Sequence, residues 1–174
     1  MKNVMIDIET LGTQYNAVIL SIAAVEFDTD GNLGRRFYEK IELQSAIDVG
    51  LRIDSDTLIW WTTQKPMVFK EMFIDALPLK RVLKRFVSWF RPENTNVWAN
   101  SPSFDLIIVK HALKTCGLKA PWNYYNERCV RTLSALVPEI KSNAIPAIDA
   151  HNALADCEFQ IQYCIEIYKR LNIS

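Results

Sequence analysis

Apolar and polar positions alternate from the start of the chain. Val4, Ile6 and Ile8 interleave with Met5, Asp7 and Glu9, the period-two pattern of a strand. The second face of that strand ends in two carboxylates, and the turn-like Thr10-Leu11-Gly12-Thr13 follows. Ala17 to Phe27 is rich in Val, Ile and Ala, and Asp28-Thr29-Asp30-Gly31-Asn32 reads as a tight hairpin turn into a third strand over Leu33 to Leu43. The chain thus opens with three strands, at least two of them antiparallel. Beyond Asp54, Ser55 or Asp56 can cap a helix through Leu58-Ile59-Trp60-Trp61, Pro66 can begin a short helix, and Pro78 begins a longer one reaching about Phe90. Asn96 to Ala99 reads as a short buried strand, and Ser103 is placed to cap an amphipathic helix that closes at Gly117. A brief extended piece around Asn123 to Tyr125 leads into a helix near Val130 to Leu136. Pro138 to Ala150 has no helical or strand periodicity and reads as a loop, whereas Ala155, Phe159, Tyr163 and Ile167 recur at helical spacing between about Asn152 and Leu171.

A length of 174 residues suits one domain, 1–174, with a substantial core. Hydrophobic residues at 49% and charged residues at 23% exclude a disordered chain, a collagen-like repeat and a disulfide knot. Twenty basic residues balance twenty acidic ones, so nucleic-acid binding could rest only on local patches. Lys80 with Lys84 and Arg81 with Arg85, four apart on a helix, form one such face, which reads first as solvated surface. The four cysteines lack C-x-x-C spacing, which points to a reduced, cytoplasmic chain rather than a zinc or disulfide framework. Ala17 to Val25, the longest near-apolar stretch, falls far below the ~18 residues that cross a bilayer, so no membrane partner is expected.

Asp7 and Glu9 project from the same side of their strand, ~6 to 7 Å apart, and such a pair can grip a hard cation. The flanking strands are nearly continuous in apolar residues, which places the first strand centrally, where α/β proteins build their sites. An edge strand with a solvated acidic face would give the same letters. Asp105 follows a short strand at the beginning of a helix, and Asp156 lies early in the last helix; each could also act only as a favourable charge near a helix N-terminus. His111, close to Lys110 and Lys114, reads as part of a solvated helix face, and Asp149 as a residue that orders the approach to the last helix.

Asp7 and Glu9 in the first strand, Asp105 in the segment Asn100-x-x-x-Phe104-Asp105, and His151 five residues before Asp156 together resemble the DEDD exonucleases. The resemblance is to the histidine-bearing DEDDh (DnaQ-like) 3′-5′ group and spans nearly the whole chain. A tyrosine four residues before Asp156 would mark the sister subgroup; that position is Asn152. Trp60-Trp61 followed by Gln64 is similar to the phage and bacterial exonuclease A or exoribonuclease-like branch. The resemblance implies a ribonuclease H-like α/β fold, a mixed five-stranded sheet with helices on both sides. It also implies that Asp7, Glu9, Asp105 and Asp156 hold two Mg²⁺ or Mn²⁺ ions, that Asp7 bridges them, and that His151 is the general base. Thr10, Leu11 and Gly12 would receive the terminal nucleotide, with Asn100, Phe104, Trp60 and Trp61 as further substrate contacts.

These residue types suit phosphodiester hydrolysis. Two hard cations ~3.5 to 4 Å apart relieve charge on the attacking and leaving oxygens, and an all-carboxylate set selects Mg²⁺ or Mn²⁺ over softer ions. An imidazole, with an ordinary pKa of ~6.5, can accept the proton of the attacking water near pH 7. Residues five apart on a helix differ by ~140°, so His151 is expected at the loop–helix junction. Adjacent helical residues diverge by ~100°, so one of Trp60 and Trp61 should face a base and the other the core. The activity implied is hydrolysis of single-stranded DNA or RNA from the 3′ end to nucleoside 5′-monophosphates, with the loop before His151 ordering over the metals and the 3′ end. A short-oligoribonucleotide hydrolase, a noncatalytic nucleic-acid-binding or polymerase-associated module, and a ribonuclease H-like endonuclease or integrase are the rival readings. A homodimer is compatible with all of them.

Overall fold

A computed structural model describes residues 3–91, 95–144 and 151–172. The first three strands, β1 (Asn3–Thr10), β2 (Ile19–Phe27) and β3 (Leu33–Lys40), form an antiparallel meander. Two short strands, β4 (Asn96–Ala99) and β5 (Glu127–Cys129), add in parallel beyond β1, giving the five-stranded order β3-β2-β1-β4-β5. This is the mixed sheet of the expected ribonuclease H-like fold, with β1 at its centre.

Alternation along β1 feeds two cores. Val4, Ile6 and Ile8 pack with Ile22, Ala24, Phe86 and Val109 on one face, where helices α4 (Leu79–Trp89) and α5 (Asp105–Thr115) lie. Met5 packs with Ala23, Val25, Trp98, Cys157 and Ile161 on the other, against α8 (Ala153–Leu171). Asp7 and Glu9 continue the Met5 row, so the strand's period-two rule turns both acids toward α8. Trp98 Nε1 and Asn96 Nδ2 both donate to Asn3 Oδ1, at 3.0 and 3.3 Å, and tie β4 to the start of β1.

Several local expectations are corrected. β3 ends at Lys40, not Leu43: the Ile41 N–H bonds to the Leu20 carbonyl and the Glu42 N–H to the Leu77 carbonyl, which turns the chain out of the sheet into α1 (Leu43–Asp48). Asp54, rather than Ser55 or Asp56, caps α2 (Ser55–Thr62), its Oδ1 accepting from the Asp56 and Thr57 N–H groups. Pro66 does open α3 (Pro66–Glu71). Ser103 does not cap α5; its hydroxyl pairs with that of Ser101 at 2.6 Å, and Phe104 is the residue before the helix. The piece around Asn123 to Tyr125 becomes a 3-10 turn over Tyr124–Asn126, and extended backbone begins only with β5.

After α6 (Val130–Ser134), the expected loop begins instead with α7 (Pro138–Asn143), started by a proline at its first position and anchored by the buried Ile140. Residues 145–150, including Asp149 and the last six residues of the expected ordering segment, lie outside the described residues. His111 is half-buried rather than solvated, its ring edge-on to Tyr15 with centroids 4.9 Å apart. On α4, Arg85 pairs with Glu39 at 2.7 Å, while Lys80, Arg81 and Lys84 are exposed. All four cysteines are free. No described helix is long and apolar enough to cross a membrane.

Candidate active site

The acids gather where β1 and β4 run out of the sheet. Asp7 and Glu9 come from β1, Asp105 from the first turn of α5 just after β4, and Asp156 from the first turn of α8. One carboxylate oxygen each from Asp7, Glu9 and Asp156 lie within 4.8 Å of one another. Asp105 is 3% exposed; backbone N–H groups of its own residue, Ile8 and Asn100 face its carboxylate.

Burial and mutual repulsion make these groups reluctant to ionise together. Burial, then Asp105, Glu9 and Asp156, hold Asp7 well above the usual carboxylate range, against an opposing hydrogen bond from Gln160. Burial, with the charges of Asp156 and Asp105, pushes Glu9 up to about 8. Burial takes Asp105 to about 7 despite its backbone donors and the charge of Arg131. Asp156 is raised by burial, with His151 working against the shift. No salt bridge among the described residues neutralises any of the four. A clustered, uncompensated set of hard oxygen donors fits a divalent cation such as Mg²⁺ or Mn²⁺.

This crowding has a measurable consequence for the metal-free protein. A carboxyl whose folded pKa is raised binds more protons folded than unfolded, so its stabilisation is complete below the ordinary carboxylate range and is lost as pH rises through the folded pKa. For Glu9 that window runs from 4.5 to about 8. In the presence of a chelator, the melting temperature should fall by roughly 5–10 °C between pH 5 and pH 8.5, a few kcal/mol at ~2–4 °C each. Glu9→Gln should flatten the slope, and a wild-type slope no steeper than that of Glu9→Gln would contradict the electrostatics described.

His151 directly precedes the α8 cap, Asn152, whose Oδ1 accepts from the Leu154 and Ala155 N–H groups. It adopts a left-handed backbone, φ 69°, a conformation that costs a non-glycine residue ~1–3 kcal/mol and is typical of functional sites. Its ring lies edge-on to Trp60 and Trp61, with centroids 4.9 and 6.0 Å away, and borders a cavity of about 390 Å³ that Tyr38, Lys40 and Met72 also line.

A second cavity of about 390 Å³ opens beside Glu9 and is lined by Thr10, Thr13, Asp56, Trp60 and Phe104 among others. Trp60 is 42% exposed at this cleft. Trp61 is buried, donates its Nε1 to the Thr10 carbonyl at 2.9 Å and stacks on Phe69, so it braces the turn after β1. Thr10 Oγ1 donates to the Gly12 carbonyl at 2.7 Å. Leu11, at 1% exposure, belongs to the core rather than to the cleft. A Cβ at Gly12 would meet the Ala17 Cβ at 3.1 Å and the Asp54 Cβ at 3.3 Å; the two chain segments pass closely here, and a side chain would push them apart by a few tenths of an ångström. Asn100 Oδ1 is a buried acceptor without a partner among the described residues.

Sequence reasoning missed Asp56 and Thr13 at the cleft, Arg131 near Asp105, and Gln160. Gln160 could have been noticed as the one amide four residues beyond Asp156 on an otherwise apolar stripe. A larger depression of about 710 Å³ lies between α7 and the far end of α8, more than two helical turns beyond Asp156, with Glu139, Glu166, Lys169 and Arg170 in its walls.

A central strand bearing two acids, a third acid in the first turn of α5, and a fourth in the first turn of α8 with a histidine at its head is the arrangement expected of a DnaQ-like 3′-5′ exonuclease, and the family match agrees with it. The chain belongs to the family of Rv2179c-like 3′-5′ exoribonuclease domains, whose profile it matches over residues 2–168. It is 23% identical to an exodeoxyribonuclease of enterobacteria phage T4, over 90% of this chain and 85% of the phage protein. Its fold is similar to that of E. coli exonuclease I, solved in a zinc-ion-bound form with single-stranded DNA and with a dA16 oligonucleotide. Each of those structures has a TM-score of 0.74 and 18% identity, covering 98% of this chain and 41% of theirs. The chain thus spans about two fifths of exonuclease I. The cell-death related nuclease 4 is also similar, with a TM-score of 0.64 and 11% identity over 97% of this chain and 64% of that one.

Proposed function

We propose that this exonuclease removes nucleoside 5′-monophosphates from the 3′ ends of single-stranded DNA or RNA. The observation that carries the reading is the Asp7, Glu9 and Asp156 group, within 4.8 Å, beside a cleft walled by Glu9, Trp60 and Phe104. Asp7, Glu9, Asp105 and Asp156 would hold two Mg²⁺ or Mn²⁺ ions, which supply Lewis acidity for charge on the attacking and leaving oxygens when bound. His151 takes the proton of the attacking water, its ring held by the edges of Trp60 and Trp61. Thr10 and Phe104 border the space for the terminal nucleotide, and the exposed face of Trp60 stacks on a base without reading its identity. The similarity to exonuclease I with oligonucleotides supports the single-strand preference. A noncatalytic module would have no use for four uncompensated acids, which carry a cost in stability.

A product ladder tests this reading. Matched 5′-labelled DNA and RNA, single-stranded and duplex, should shorten one nucleotide at a time from the 3′ end of single strands when Mg²⁺ or Mn²⁺ is present. Internal cuts, or no shortening of any substrate with either ion, would overturn it. A rate that collapses above a few nucleotides would favour the short-oligoribonucleotide hydrolase.

The tryptophans should separate in the same assay. Trp60→Ala should raise KM for single strands roughly 5- to 100-fold, the equivalent of ~1–3 kcal/mol of stacking, with little change in melting temperature. Trp61→Ala, which empties a core position and removes the donor to Thr10, should cost ~3–5 kcal/mol of stability. Wild-type melting and wild-type kinetics in both variants would deny the pair either role.

A further inference from the structure

α8 turns a nearly apolar stripe toward the sheet, formed by Ala153, Cys157, Ile161 and Cys164, all 0% exposed. Gln160 breaks that stripe. It lies one helical turn beyond Asp156, is 5% exposed, and donates its Nε2 to Asp7 Oδ1 at 2.7 Å. Its other amide atom, Oε1, is buried and has no hydrogen-bond partner among the described residues.

With Asp7 ionised, as a cation ligand must be, the orientation of the amide follows from chemistry, because the flipped form would set a carbonyl oxygen against a carboxylate. Leaving a buried acceptor unpaired costs stability that methionine or leucine at this position would not incur. The amide therefore fits a task at Asp7 better than a task in the core. Pinning Oδ1 fixes the plane of the Asp7 carboxylate and leaves its second oxygen available. A lysine or arginine could pin Asp7 equally well, but its charge would compete with a cation for the same site. An amide donates at every pH and adds no charge.

We propose that Gln160 is the positioning residue of Asp7: it sets the divalent-ion affinity of the centre through the orientation of that carboxylate, without touching substrate. The inference rests on the metal reading given under Proposed function. Partners that orient metal ligands in this way typically govern affinity by 10- to 100-fold.

The test uses Gln160→Met and Gln160→Leu, with Mn²⁺ binding measured by electron paramagnetic resonance of the free ion and melting followed in chelator. Both variants should fold and melt within a few degrees of wild type without ions, because loss of the unpaired Oε1 offsets loss of the Nε2 donor to Asp7. Their Mn²⁺ affinity should fall about 10- to 100-fold. At saturating Mn²⁺ the oligonucleotide KM should stay at the wild-type value. Wild-type Mn²⁺ affinity in the variants, or loss of the fold in both without ions, would overturn the proposal and leave the metal reading intact. Failure of the wild-type protein itself to bind Mn²⁺ would overturn both.

Discussion

Asp156→Ala should leave a folded protein with at least ~10³-fold less exonuclease activity. The site has no spare carboxylate to replace a lost ligand, and the several kcal/mol that metal ions contribute to the transition state correspond to that factor at ~1.4 kcal/mol per tenfold. Asp7→Ala should fail as completely, but it also strips the acceptor from Gln160 Nε2, so the Asp156 variant separates chemistry from stability more cleanly. Removing Asp156 leaves Asp7 and Glu9 buried but takes away its share of the repulsion that raises them. The Asp156 variant should consequently melt no lower than wild type in chelator at pH 8. Near wild-type single-turnover cleavage in either variant would rule out the ligand assignment.

His151→Ala should keep divalent-ion binding and lose ~10² to 10⁴-fold in the chemical step, the range for a positioned proton acceptor. Because His151 sits at φ 69°, an alanine there also meets backbone strain; asparagine tolerates that region better, so His151→Asn removes the base with less disturbance. Both variants should be slow by the same factor in single-turnover kinetics, with Mn²⁺ affinity near wild type. An unchanged rate across pH 6 to 9 would assign His151 a structural part only.

The strand that carries the chemistry was legible because its signal is local and redundant. β1 sends Val4, Ile6 and Ile8 to one face and Met5, Asp7 and Glu9 to the other, and its neighbours are apolar enough to require burial on both sides. Order and spacing singled out the four acids and His151 on equal terms, and the fold brings carboxylate oxygens of Asp7, Glu9 and Asp156 within 4.8 Å of one another. Caps were harder to read. Asp54, Ser55 and Asp56 all carry a side-chain oxygen, and only the register of α2 against the Leu11 carbonyl, which binds the Asp54 N–H at 2.7 Å, selects the first. α7 has six residues and one buried side chain, too few for a period to emerge. Leu11 sits in a turn that looks accessible in sequence, but the β1–β2 connection folds over it, its N–H bonding to the Val18 carbonyl at 2.9 Å. Gln160 escaped notice because its partner is 153 positions away and an amide carries no charge signature.

Anomalous diffraction from crystals grown with Mn²⁺ and a nucleoside 5′-monophosphate tests the central claim most directly. Two peaks ~3.5 to 4 Å apart, bounded by the carboxylates of Asp7, Glu9, Asp105 and Asp156, are the predicted result. Saturating Mn²⁺ that leaves this group without a peak, or that binds only elsewhere on the protein, would contradict it.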